Sequence, residues 1–117
     1  MTCGSYLLFS VGRYGFAVSM AEVAQVLSQA TAQEMDRFVC QNLVSRFSSE
    51  TSVPFWILLN NGHALGVSQV ERMSTGETIP FPKWIQPMIE FKALIGMLLV
   101  EEQRLVFLMT GIGEGVA

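Results

Sequence analysis

Residues 6–27 read YLLFSVGRYGFAVSMAEVAQVL: two apolar runs about a short break, followed by a change of period. Leu7, Phe9 and Val11 alternate onto one face of a strand, and Phe16, Val18 and Met20 do the same after Gly12-Arg13-Tyr14-Gly15, which defines a β-hairpin. At Ser19 the pattern Ser-Met-Ala-Glu fits a capping box, and Val23, Val26 and Leu27 follow at helical spacing. A short helix near 20–27 is the expectation.

Outward from this stretch, Thr31-Ala32-Gln33-Glu34 is a second capping-box pattern, and Met35, Phe38, Val39, Leu43, Val44 and Phe47 then recur at amphipathic-helix spacing. The pattern predicts a helical segment, as one helix or two, near 32–47. Cys40 falls among its apolar positions and is expected to be a buried thiol. Residues 53–59 and 64–70 flank Asn60-Asn61-Gly62-His63, where Asn-Gly supplies the positive φ of a tight turn, so a second hairpin is predicted there. Pro80, Pro82 and Pro87 interrupt residues 74–92 and predict an extended crossing with Phe81, Trp84 and Ile85 turned inward. Residues 94–100 and 104–109 make a third hairpin around Glu101-Glu102-Gln103, while the glycines of 111–115 hold no structure of their own. Three hairpins with little βαβ alternation predict a mainly β, barrel-like single domain over residues 1–117.

Composition narrows the function. The 117 residues suit one core, and with half of them hydrophobic and only 15% charged the surface carries more apolar area than usual unless a partner or a second copy covers it. The net charge is −3 and the seven basic residues are scattered, so no basic stripe for nucleic acid is present. The longest apolar runs fall far short of the roughly 20 residues of a membrane span, and the first has no charged flank ahead of it. The expectation is a cytoplasmic protein that neither inserts into a membrane nor binds nucleic acid.

Chemistry-bearing residues are sparse. His63 is the only histidine, placed beside a turn, and Cys3 and Cys40 lack a CxxC neighbour, so no metal site is expected. Asp36 is the only aspartate, which removes the raw material for an Asp-based triad or a calcium loop. Glu101 and Glu102 read as a solvated hairpin tip, and Gly12 to Gly15 and Gly111 to Gly113 as turns rather than nucleotide loops. No catalytic residue and no cofactor is expected. Seven methionines and eight phenylalanines belong mostly to the core, but methionine-rich surfaces also make adaptable protein-binding grooves. Met20, Val23 and Met97 are the candidates for the edge of such a groove.

With this organisation the chain resembles the CheW-like domain, the coupling and scaffold module of bacterial chemosensory arrays. The resemblance runs through the strand, turn and Tyr14-Gly15-Phe16 of residues 6–27, with Val23 and Val26 in the family's short helix; through ALGVSQV at 64–70; and through Ile79-Pro80-Phe81-Pro82 followed by Ala93-Leu94-Ile95-Gly96 and RLVFLM. It implies SH3-like β-barrel lobes, no enzymatic activity, and a scaffold that bridges a chemoreceptor cytoplasmic region and a CheA-type histidine kinase. Val23 matches a position that lines the receptor-facing groove. The sequence departs from the family by lacking its N-L-R-G turn; only CQNLVSRF, residues 40–47, looks like the end of that region, with Gln41 or Asn42 near the family's aspartate. Ser68 stands for an acidic residue and Ala64 for a glycine. One lobe is therefore expected to be incomplete, with function shifted at 28–47. The residues themselves leave three other readings open: a small β-barrel holding an apolar small molecule, an enzyme using Cys40, and a self-associating orphan domain.

Overall fold

The run Tyr6-Leu7-Leu8-Phe9 has no polar alternation, which is the signature of a strand buried on both faces. A computed structural model shows why; it describes residues 4–29, 32–49, 52–84, 94–101 and 104–110. Strand β1 (Ser5–Val11) turns through Gly12, at φ +61°, into β2 (Tyr14–Ser19). Both belong to a closed five-stranded barrel with β7 (Gln69–Pro80), β8 (Leu94–Val100) and β9 (Arg104–Met109), in the order β1-β2-β9-β8-β7. Tyr6, Leu8, Ala17, Leu98, Val100, Val106 and Leu108 fill its interior. The alternate residues Leu7, Phe9, Val11, Phe16 and Val18 point out of it into a second core.

That second core is shared with a four-stranded sheet ordered β3-β5-β6-β4, built from β3 (Val23–Ser28), β4 (Val39–Asn42), β5 (Phe55–Leu59) and β6 (His63–Val67). Ile57, Leu59, Leu65 and Val67 face the barrel and are sealed by Leu43 and Val44 of helix α2 (Leu43–Phe47). The chain returns to the barrel at Ser68, whose N–H donates to the Ser10 carbonyl at 3.0 Å and whose Oγ accepts from the Gly12 N–H at 3.0 Å. The lobe expected to be incomplete is this one: among the described residues no strand pairs with the outer edge of β3 or of β4.

Three expectations need correction. The helix near 20–27 is one 3-10 turn, Met20–Glu22, capped by Ser19, and Val23 onward is strand β3. A bulge between Val23 and Gln25 inserts one residue into the pairing with β5, so Val23 opposes Leu59 and Val26 opposes Ile57 on the same face. The bulge thus reproduces in a strand the three-residue spacing of a helix. Within 32–47, two short helices form, α1 (Ala32–Met35) and α2, but residues 39–42 between them pair in parallel with β6. Asn42 caps α2 by accepting from the Ser45 N–H at 3.0 Å, a role an aspartate there fills equally well. Cys40 consequently lies on an edge strand and is exposed rather than buried. In the proline-rich crossing, β7 continues as strand to Pro80, and Trp84 is 71% exposed instead of turned inward. Ile85, Pro87, Thr31, Glu102 and residues 111–117 lie outside the described residues.

Candidate binding surface

Met20 opens the 3-10 turn and Val23 follows it, and both are half-buried against the core shared by the two sheets. The turn is held from below: Asn60 donates from its backbone N–H to the Glu22 carbonyl at 2.9 Å and from Nδ2 to the Ala21 carbonyl at 2.8 Å. Met20 and Val23 are therefore brought together at the junction of the lobes. Met97 sits elsewhere, on the outer face of the barrel.

Strand pairing sets what surrounds Met97. Ile79 opposes Met97 across β7 and β8, Met97 opposes Phe107 across β8 and β9, and Phe107 is level with Phe16 across β9 and β2. This outward row climbs from the buried Phe16 through half-buried Phe107 and Met97 to Ile79, which is 43% exposed. Leu99 and Leu105 form the adjacent pair, and Leu105 is 56% exposed. Ile95 on the same strand is 42% exposed. The result is a continuous apolar band running from the inter-lobe core onto open surface, more than scattered single exposures explain. Ile79, Ile95 and Leu105 were not singled out from sequence, although LIGMLLV and RLVFLM show the same missing alternation as β1.

A groove of about 370 Å³ opens beside this band between Ser19 and Glu22 of the turn and Thr78, Pro80 and Ile95 of the barrel. The far ends of β7, β8 and β9 carry charge: Arg104 reaches Glu71 through two hydrogen bonds of 2.9 and 3.2 Å, and Arg72 pairs with Glu101. The Arg104 hydrogen bond holds the Glu71 carboxyl below its usual range, with its charge and that of Arg72 adding to the effect against a desolvation that opposes it. A lowered carboxylate pKa contributes stability that is complete above the unfolded value and is lost as pH falls through the folded one. Because both side chains are partly solvated, at 45% and 24%, the expected contribution is below about 1 kcal/mol. Urea titrations at neutral and acidic pH check this: Glu71→Gln lowers stability slightly at neutral pH and removes part of the acid-induced loss. An unchanged pH dependence in the variant contradicts it.

The other chemistry-bearing residues stay apart. His63 opens β6, with Nδ1 at 3.4 Å from Gln41 Nε2, and its N–H donates to Asn61 Oδ1 at 3.0 Å. Desolvation first, and then the Asp36 charge, push the Cys40 thiol upward, away from the thiolate that nucleophilic chemistry needs. Among the described residues no three His, Cys, Asp or Glu converge on a metal-sized site, and no helix is long and apolar enough to cross a membrane.

A closed five-stranded barrel packed on a second, smaller sheet defines a mainly β protein of two SH3-like lobes. Among solved structures eleven chains match it, among them the scaffolding protein TtCheW from Thermoanaerobacter tengcongensis. That match has a TM-score of 0.67 and covers 92% of this chain and 89% of TtCheW at 14% identity. The chain therefore has the CheW-like fold in a divergent sequence. No protein-family model matches the sequence, and no curated protein is similar to it at a significant level.

Proposed function

We propose that the chain is a single, non-catalytic CheW-like domain that works as a cytoplasmic scaffold or adaptor in a bacterial chemotaxis-type signalling system. Its partners are a chemoreceptor cytoplasmic region, a CheA-type histidine kinase, or both. The observation that carries this reading is the likeness to TtCheW over nearly the whole chain, joined to the apolar band around Met97. Burial of a patch of this kind is the main driving force of protein association, and methionine lets it adapt to its partner. Two of the other readings draw less support. Among the described residues seven apolar side chains occupy the barrel interior, where an apolar ligand would have to sit, and the raised thiol pKa of Cys40 disfavours a nucleophile.

Titration calorimetry of the full chain against a chemoreceptor cytoplasmic fragment and a CheA-type regulatory domain tests the reading. Binding to at least one is expected, with Met97→Glu weakening it about 10-fold or more, because a carboxylate is then desolvated at the contact. The outward position of Met97 leaves the melting temperature of that variant nearly unchanged. Val23→Glu weakens binding as well, accompanied by lower stability, since Val23 packs on the shared core. Absence of binding to both partners removes the reading.

A further inference from the structure

The four-stranded sheet ends in two edge strands, β3 and β4, and the chain protects them unequally. β4 has four residues and runs directly into α2, and shortness is one of the ordinary ways of blunting an edge. β3 has six, Val-Ala-Gln-Val-Leu-Ser, with no charge and no proline among them. Its one defence is the bulge between Val23 and Gln25, which leaves residues 25–28 regular. Ala24, Gln25, Val26 and Ser28 are exposed, so the strand lies open to solvent.

One hydrogen bond fixes the direction of its unpaired groups. The Gln29 N–H donates to the Pro54 carbonyl at 3.1 Å, and backbone groups alternate sides along an antiparallel strand. Leu27 and Gln25 therefore turn theirs to β5, whereas Val26 and Ser28 turn N–H and C=O outward. Among the described residues nothing bonds to them there. Val26 adds an apolar side chain to this edge: it opposes Ile57, but the shared core stops short of it and it is 38% exposed. An extended strand satisfies such alternating donors and acceptors, which defines the backbone of the occupant.

We propose that β3 is the interface of a homodimer, pairing antiparallel with β3 of a second copy about a two-fold axis through Val26. The reason for choosing a second copy is self-complementarity. A two-fold contact brings the same strand against itself and so sets like charges close together, and this strand carries none. The axis places Val26 against Val26 of the second copy as a hydrogen-bonded, β-branched pair, with Ser28 facing Ala24 and Leu27 facing Gln25. The two small sheets then run on as one, and part of the surplus apolar surface implied by the composition is covered. A strand of this length gives less area than a standard interface, so the dimer is expected in the micromolar range. The inference does not rest on the Met97 band, which lies on the barrel, so either can fail alone.

Sedimentation equilibrium of the full chain tests it. The apparent mass is expected to rise from 12.9 kDa towards twice that value as the concentration passes through the micromolar range. Val26→Lys sets two ammonium groups face to face at the axis and is expected to raise the dissociation constant about 10-fold or more, while Met97→Glu leaves it unchanged. A chain still monomeric at about 1 mM overturns the proposal and leaves the edge to a strand of another protein. A dimer that withstands Val26→Lys, including one lost in Met97→Glu instead, overturns it too. If Val26→Lys does not fold, hydrogen exchange of the unaltered chain decides. The Val26 and Ser28 amides are expected to gain about 10-fold protection between dilute and concentrated samples, with a smaller change at Gln25 and Leu27. Exchange at Val26 and Ser28 that does not depend on concentration overturns the proposal.

Discussion

Phe16→Ala is expected to lower the unfolding free energy by about 4 kcal/mol, the range seen when a large buried aromatic is truncated and its cavity cannot collapse. Phe16 is 1% exposed and its ring lies 5.6 Å from Phe9, 5.4 Å from Phe47 and 5.6 Å from Phe107. Those rings come from β1, α2 and β9, so the cavity opens where barrel, helix and second sheet meet. A domain of this size has about 5–15 kcal/mol in total, and the loss corresponds to a fall in melting temperature of roughly 12–20 °C. Urea and thermal unfolding followed by circular dichroism measure it. A loss under about 1.5 kcal/mol means the core has relaxed around the gap or is looser than described. Because one core joins the sheets, the parent chain is expected to unfold in a single transition. Two separated transitions show instead that the lobes are held independently.

The second large effect concerns backbone contact. At Gly96 a β-carbon meets the Ile79 carbonyl oxygen at 2.5 Å and the Pro80 Cα at 2.9 Å, and backbone atoms have no rotamer with which to step aside. Gly96 pairs with Pro80 on β7 and Leu108 on β9, so any shift pulls β8 away from both neighbours and opens the barrel. Gly96→Ala is expected to cost about 2–3 kcal/mol, at the upper end for overpacking. Urea denaturation gives the magnitude, and hydrogen exchange shows faster exchange along β7 and β8 than along β5 and β6. A cost within about 0.5 kcal/mol, typical of surface substitutions, rules this account out. If the Met97 band binds the partners proposed above, the same substitution next door weakens that binding as well.

Much of the fold is local chemistry and is legible in the residues. Gly12 and Gly62 sit at positive φ where the two predicted hairpins turn, and the third hairpin spans the predicted strands. The mainly β class also follows from hairpin spacing, while the incomplete lobe is what the resemblance to the CheW-like domain implies, through the N-L-R-G turn that this sequence lacks. The sequence offers Met20, Val23 and Met97 alike as the edge of one groove, whereas the structure puts Met20 and Val23 at the junction of the lobes and Met97 on the barrel. The surroundings of Met97 were not legible, because its neighbours Ile79, Phe107 and Leu105 are assembled by pairing between strands.

What the sequence determined by itself is where the chain turns and which residues are apolar, because turn geometry and hydrophobicity act within a few residues. Only the tertiary structure decided between helix and strand at 23–28, where pairing with β5 and a single bulge override a local cap and place Val23 and Val26 on one face. It also decided that both faces of β1 are buried, that Cys40 lies on an open edge, and that Met35 and Phe38 cover the face of the four-stranded sheet turned away from the barrel. The physical reason is common to all four: burial and pairing are fixed by partners distant in sequence, and a local pattern carries no record of which partner it will meet.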